Sequence, residues 1–349
     1  MSARPARRSL LVLLGVVAGL LAAEAAVRAA GASPELAILR RGRFQLSANP
    51  ARVYEPVPGS RNDGGDLAFF DYVGTANRLG YRDRDHPLRE SPGTSGNPLR
   101  IVVLGDSVAA GLGIARTADI FPARLERELH RRGRAAEVLN FGVSGYNTRQ
   151  EIETLKDDAL AFAPDLVLIA YCLNDHLPPE AKIVDGLRRQ AEGRVAVAPQ
   201  AADRLLSASA LYRLLRYRGD RSGEATLARL DDGAAAGVSA AAAFDELAAL
   251  SGVHGFRVMV AVFPQFTGNL DRYPFGDRHR HLAALSEERG FAHLDLLWVY
   301  RECAAEGGRR QQAQRLALDR FHPTVEGHAC AARAMAEFVD ERYFRAPPR

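Results

Sequence analysis

Ser107 stands in Gly105-Asp106-Ser107, directly after the apolar run Arg100 to Leu104, and a helix-permissive stretch follows it to Gly111 and Gly113. A hydroxyl at a strand-to-helix turn lies at the positive end of a helix, which favours an alkoxide-like nucleophile and a developing oxyanion. A serine in that place equally serves as a helix cap. The glycines make no phosphate loop, because no Gly-Lys-Ser/Thr is present, and Gly111-Leu-Gly113 lacks the third glycine of a dinucleotide fingerprint. Three further polar clusters sit in similar places. Asn140 to Gly145 follows a second apolar run, Asn174-Asp175 follows a third, and Asp319-Arg-Phe-His322-Pro323 precedes the last helical stretch. A serine hydroxyl is a weak nucleophile until a base takes its proton. Histidine is that base when a carboxylate holds its ring, and one backbone turn puts Asp319 and His322 on the same side. The tetrahedral intermediate of such a reaction wants two or three fixed donors. Together these are the parts of a serine esterase.

The elements that position them read as alternating strands and helices. Apolar runs at 100–104, 138–141, 165–170, 257–263 and 293–299 read as strands. Helical spacing marks 120–132, 149–162, 234–250, 278–289 and 324–343, with stops at Gly133 and before Pro164. Unbroken apolar strands alternating with helices imply a parallel sheet covered on both faces, with its site beyond the carboxyl ends of the strands. Residues 33–98 are irregular, punctuated by Pro56, Pro58, Gly59, Gly64, Gly65, Pro92, Gly93, Gly96 and Pro98. An insertion at about 176–233 carries the amphipathic stretch Leu206 to Arg218, read either as a lid or as a packing helix. Trp298, the single tryptophan, is expected in the core at the end of the fifth strand.

Arg4, Arg7 and Arg8 precede 14 apolar residues, Leu10 to Ala23, and Glu24 and Arg28 follow. A basic flank and an apolar core mark residues 1–32 as a secretory signal or a membrane anchor, with the arginines inside. A buried helix of a cytosolic protein is the other reading. Ala23-Glu24-Ala25 is a formal cleavage site. The 349 residues are 47% hydrophobic and 25% charged, which excludes a mainly disordered chain and a multi-span membrane protein. The 46 basic residues, 44 of them arginine, face 42 acidic ones along the whole chain, so no nucleic-acid footprint emerges. Cys303 and Cys330 are able to pair in an oxidising compartment, which leaves Cys172 free. No Cys/His spacing suits zinc, so no metal and no cofactor is expected. His254, His279, His281, His293 and His328 show no partner spacing and are expected to be surface or core residues, and His176 to line the cleft. Asp106 and Asp175 are expected to hold backbone donors in their turns.

The four clusters, in order across about residues 99–345, resemble the SGNH hydrolase family, also called GDSL esterases and lipases. The resemblance implies a three-layer α/β/α fold on a five-stranded parallel, flavodoxin-like sheet. The chain then divides into residues 1–32, an irregular leader at 33–98 packing on the core, and a hydrolase domain at 99–349. By matching position, Ser107 is the nucleophile, and Asp319 and His322 complete the triad. The N–H groups of Ser107 and Gly145 and the side-chain amide of Asn174 form the oxyanion hole. Tyr54 to Gly59 and Asn77 to Arg82 are similar to the leader of exported bacterial members. Two residues depart from the pattern: Cys172 replaces the usual glycine of the third block, and Arg320 follows Asp319 where glycine is common. Cysteine takes positive φ less cheaply than glycine, so the local turn is expected to differ. The implied activity is hydrolysis of acetyl or short acyl esters on a small molecule or a polysaccharide. The alternatives are an O-acyltransferase on an envelope polysaccharide and a catalytically silent carbohydrate-binding protein.

Overall fold

A computed structural model describes residues 4–33, 35–36, 43–62, 74–89, 97–191, 195–196, 206, 208–217, 239–266, 270–305 and 313–345. The apolar runs form β1 (Leu99–Gly105), β2 (Ala136–Asn140), β3 (Leu166–Tyr171), β4 (Arg257–Val262) and β5 (Ala292–Asp295). All pair in parallel, in the order β5-β4-β3-β1-β2. This is the flavodoxin-like order, whose crevice opens where the strand order reverses, beside β1 and β3. Every residue of β3 is buried, as a strand covered on both faces requires.

Helix α1 (Arg4–Ala29) precedes the sheet. The β1–β2 crossover contains α2 (Ser107–Ala110) and α3 (Phe121–Arg131), and α4 (Thr148–Thr154) follows β2. The long β3–β4 connection includes α5 (Ala210–Tyr217) and α6 (Ala240–His254). Then come α7 (Gly276–Glu288), α8 (Leu296–Ala305) and α9 (Val325–Val339). Helix α9 packs on α3 and α8, while α6 packs on α4 and α7, which gives the two outer layers. The chain divides into two compact units, Met1–Gly42 with Asp185–Leu230, and Arg43–Val184 with Asp231–Arg349. In the first, α5 packs along α1, and Glu35–Leu36 pairs in parallel with Val195–Ala196. The second holds the sheet.

Some boundaries differ from the sequence reading. The fifth strand ends at Asp295, not Val299, because the Asp295 carboxylate accepts the Leu297 N–H at 2.9 Å and starts α8 there. Trp298 is consequently on a helix surface, 61% exposed, with the Arg301 guanidinium over its ring. The stretch from Arg149 to Phe162 is helical throughout but relaxes after α4 into a π turn and a 3-10 turn. Residues 234–238 of the helix expected at 234–250, Gly64, Gly65, Pro92, Gly93, Gly96 and half of the 176–233 insertion lie outside the described residues. Cys303 and Cys330 are joined by a disulfide between α8 and α9, and Cys172 is free and buried.

Candidate active site

Ser107 is the first residue of α2, immediately beyond the carboxyl end of β1. The Asp106 carboxylate caps the helix, accepting the Val108 N–H at 2.9 Å. Gly111 ends the helix at φ 73°, and a Cβ there would come within 2.2 Å of Ile120. Caps at both ends thus bound this one-turn helix, and Ser107 at its start is 9% exposed.

His322 comes from the loop before α9, at the other end of the sequence. Its Nε2 is 2.8 Å from Ser107 Oγ. Its Nδ1 is 2.7 and 2.9 Å from the two carboxylate oxygens of Asp319. A carboxylate facing Nδ1 fixes the proton on that nitrogen and leaves Nε2 to accept from the serine hydroxyl. Asp319 is itself held by the N–H groups of Phe321 and His322, at 2.8 and 2.9 Å. Partial burial works against its charge, but these two N–H groups and the His322 ring outweigh it and keep its carboxyl below the ordinary range. The strand-like bridge Ala317–Pro323 and the bond from Leu318 N–H to His322 O close the loop that carries both residues.

The remaining candidates are Gly145 and Asn174. Gly145 has φ 77°, and a Cβ there would meet Glu180 Cβ at 2.5 Å and the Tyr54 hydroxyl at 2.9 Å, so the position requires glycine. Asn174 donates from Nδ2 to Asp106 at 3.3 Å. Asp106 thus gathers the Val108 N–H, the Cys172 thiol, the Asn174 amide and, as a second acceptor at 3.3 Å, the Ser107 hydroxyl. An amide NH₂ has two hydrogens, and Asp106 takes one of them, which fixes the plane of the other. Asp175 accepts the Cys172 N–H at 2.7 Å. Cys172 follows β3 directly and is not among the residues of positive φ, so this turn requires no glycine.

Asp106, Cys172 and Asp175 also place ligand-type atoms within 4.8 Å of one another. Burial pushes the Cys172 thiol and the Asp175 carboxyl well above their ordinary ranges. Groups shifted in this direction give up their protons less readily, as metal ligands must, and the three are already joined by hydrogen bonds. Burial raises the neighbouring Glu151 carboxyl as well.

The leader contributes contacts that sequence reasoning did not assign. Arg82 is buried and donates to the carbonyls of Ala110, Gly111 and Ile114, at 3.2, 2.6 and 2.5 Å, just past the end of α2. The Tyr54 hydroxyl donates to Ser144 O at 3.1 Å, and Tyr146 returns a bond to Tyr54 O at 2.5 Å. Asn140 links the two loops, donating to Arg82 O and Ala109 O. The resemblance of Tyr54 to Gly59 and Asn77 to Arg82 to a family leader pointed to these segments, but not to the partners of these two side chains.

Other candidates fall elsewhere. His279 is buried and has a partner after all, Asp295 at 2.8 Å, with the Tyr273 hydroxyl 3.1 Å from its other nitrogen. His328 is buried in α9 and accepts the Phe121 N–H. His176 and Arg320 are exposed, and the Arg320 carbonyl receives the Phe266 N–H.

Comparison with known proteins places this chain in a family. An acetylxylan esterase from Xylanibacter ruminicola is 28% identical over 172 residues, which are 42% of this chain. The match covers about a third of that relative's length, 35%. Solved structures that align include the acetyl xylan esterase AlAXEase, at 14% identity, TM-score 0.42, 69% of this chain and 99% of that one. Axe2, an acetylxylan esterase from Geobacillus stearothermophilus, aligns at 19% identity and TM-score 0.43, over 69% of this chain and 94% of its own. The model of the GDSL-like Lipase/Acylhydrolase family matches residues 103–330, well over half of the chain, and the protein belongs to that family.

Proposed function

We propose that the protein is a serine esterase that cleaves acetyl or short acyl esters through an acyl-serine intermediate. The observation that carries this reading is the hydrogen-bonded relay from Ser107 Oγ to His322 Nε2 and from His322 Nδ1 to Asp319. His322 takes the hydroxyl proton as Ser107 Oγ attacks the ester carbonyl carbon. The tetrahedral oxyanion is received by the N–H groups of Ser107 and Gly145 and by the Asn174 amide. Collapse breaks the bond to the leaving alcohol, which collects the proton from His322. A water then attacks the acyl-serine, giving its proton to His322, and the acid departs as Ser107 regains a proton. Asp319 stabilises the imidazolium in both steps.

An acetylated polysaccharide is the preferred substrate, by likeness to the acetylxylan esterase of Xylanibacter ruminicola. The basic flank and apolar stretch at the N-terminus support export, with the arginines left in the cytoplasm. The test uses full-length protein in mild detergent with p-nitrophenyl acetate, butyrate and octanoate, beside Ser107→Ala. Turnover that vanishes in a folded Ser107→Ala supports the esterase, with acetate the best of the three. Turnover that persists in the variant removes Ser107 from the mechanism.

A further inference from the structure

Helix α1 carries Glu24 and Arg28 near its outer end, and the start of α5 is built on both. The Glu24 carboxylate accepts the N–H groups of Ala210 and Leu211, at 2.9 and 2.8 Å, and the Ser209 hydroxyl at 2.7 Å. The N–H of Tyr212 goes to Ser209 Oγ at 3.1 Å. The first three N–H groups of α5, which no helical carbonyl can reach, are thus satisfied, two of them by α1. Arg28 donates to Glu24 at 2.6 Å and to Ala208 O at 2.9 Å, tying the approach to α5 to the same two residues. Further along, Arg213 reaches Ser33 Oγ at 3.3 Å, and Glu35–Leu36 pairs with Val195–Ala196. Cutting at Ala23-Glu24-Ala25 would remove Glu24 and leave the start of α5 uncapped.

Among the described residues, nothing covers the side chains of 11–22, all of which are exposed. Leu11–Ala29 is 19 residues long, apolar, and unburied. At 1.5 Å per residue it reaches about 28 Å, close to the ~30 Å of a bilayer core. Leu11, Leu13, Leu14, Leu20 and Leu21 are each more than half exposed. A contiguous apolar surface of that size on a water-soluble protein is rare, and lipid is the medium that covers it. Glu24 and Arg28, one turn apart, would be costly deep in that medium, but they lie toward the outer end and satisfy each other and α5. Leu206 and Leu215 are exposed at that same end, at 51% and 76%. Apolar side chains beside tyrosines and arginines are the composition of a membrane boundary.

We propose that α1 stays on the mature protein as a single membrane anchor, with α5 docked on its outer end at the bilayer surface. This rests on the export reading above and is independent of the esterase chemistry. The partner is a lipid bilayer. The test expresses the full chain in a Gram-negative host, separates membranes by alkaline carbonate wash, and measures the intact mass of the product. The expected product retains residues 1–30 and needs detergent for release. A soluble extracytoplasmic product beginning between residues 24 and 33 overturns retention while leaving export standing. A soluble cytoplasmic product of full mass overturns both. In the anchored protein, Glu24→Leu keeps the anchor but loosens α5, so that trypsin added outside spheroplasts cuts at Arg213 and Arg216 at least tenfold faster than in wild type. Equal cutting rates would overturn the docking of α5 on α1.

Discussion

At the residue scale the site depends on Asp106 as much as on the residues it serves. Asp106 caps the nucleophile helix and, with the same carboxylate, holds the Asn174 amide and the Cys172 thiol. In the oxyanion role proposed for Asn174, this bond orients the amide before substrate arrives, so no reorganisation remains for the moment of reaction. Asn174→Ala should lower kcat by roughly 10²–10³, with KM within a few-fold of wild type, because the lost bond forms chiefly in the transition state. Steady-state kinetics on p-nitrophenyl acetate decides this; an unchanged kcat would take Asn174 out of the oxyanion hole. Spacing made Asp319 and His322 legible, because a three-residue separation closes a turn. The double duty of Asp106 was only half legible: its turn position announced the backbone bond, but bonds to Cys172 and Asn174 depend on how β1 and β3 lie side by side.

Elements explain what sequence could and could not show of the fold. Four of the five strands read correctly as apolar runs because strands buried on both faces need no other signal. The fifth was overrun because Leu296, Leu297 and Val299 are as apolar in α8 as they would be in a strand, and only the Asp295 side chain marks the change. The leader's packing on the core was expected from its resemblance at Tyr54 to Gly59 and Asn77 to Arg82, but its individual contacts were not legible, since they are made by long side chains with no periodicity. Those contacts fasten the two loops of the site. Arg82 gives the carbonyls after α2 a charged donor from a single planar fork, and hydrogen bonds to charged groups contribute ~1.5–3 kcal/mol. Arg82→Met should cost roughly 2–4 kcal/mol in urea unfolding, and Arg82→Lys should recover only part, since one ammonium cannot span three carbonyls. Full recovery by lysine would show that charge rather than the fork matters. Gly142→Ala should be worse. Its Cβ would meet Ala109 Cβ at 2.5 Å and the Ala110 nitrogen at 2.6 Å, pushing the loop after β2 off the nucleophile helix. Esterase activity should fall at least tenfold even where circular dichroism reports a folded protein.

For the whole molecule, two features couple stability to surroundings. Burial drives the His328 imidazole down to about 3, with the nearby Arg82 and Arg124 charges adding to the effect, so it is neutral in the folded protein. An unfolded histidine titrates near 6.5, so between pH 6.5 and 3 the unfolded state binds the extra proton and stability falls with acidification. Two units below 6.5 this one group costs about 2–3 kcal/mol. His328→Gln keeps an acceptor for the Phe121 N–H, and its loss of stability from pH 7 to 4.5 should be smaller than wild type by that amount. Equal losses would mean that His328 has a partner in solution. The disulfide acts through the unfolded chain. Cys303 and Cys330 are 27 residues apart, and closing a loop of that length removes about 3–4 kcal/mol of denatured-state entropy. The cross-link joins α8 to α9, and α9 packs on α3, so its loss is felt across one whole outer layer. A stabilisation of that size in the larger unit corresponds to a rise in Tm of roughly 5–8 °C. Thermal unfolding with and without dithiothreitol measures it, beside the double variant Cys303→Ala, Cys330→Ala. Wild type should drop on reduction to near the midpoint of the variant, and the variant should ignore the reductant because Cys172 is buried and unpaired. A wild type equally indifferent to reductant would show that the two thiols stay reduced, which would remove the disulfide as support for an oxidising compartment.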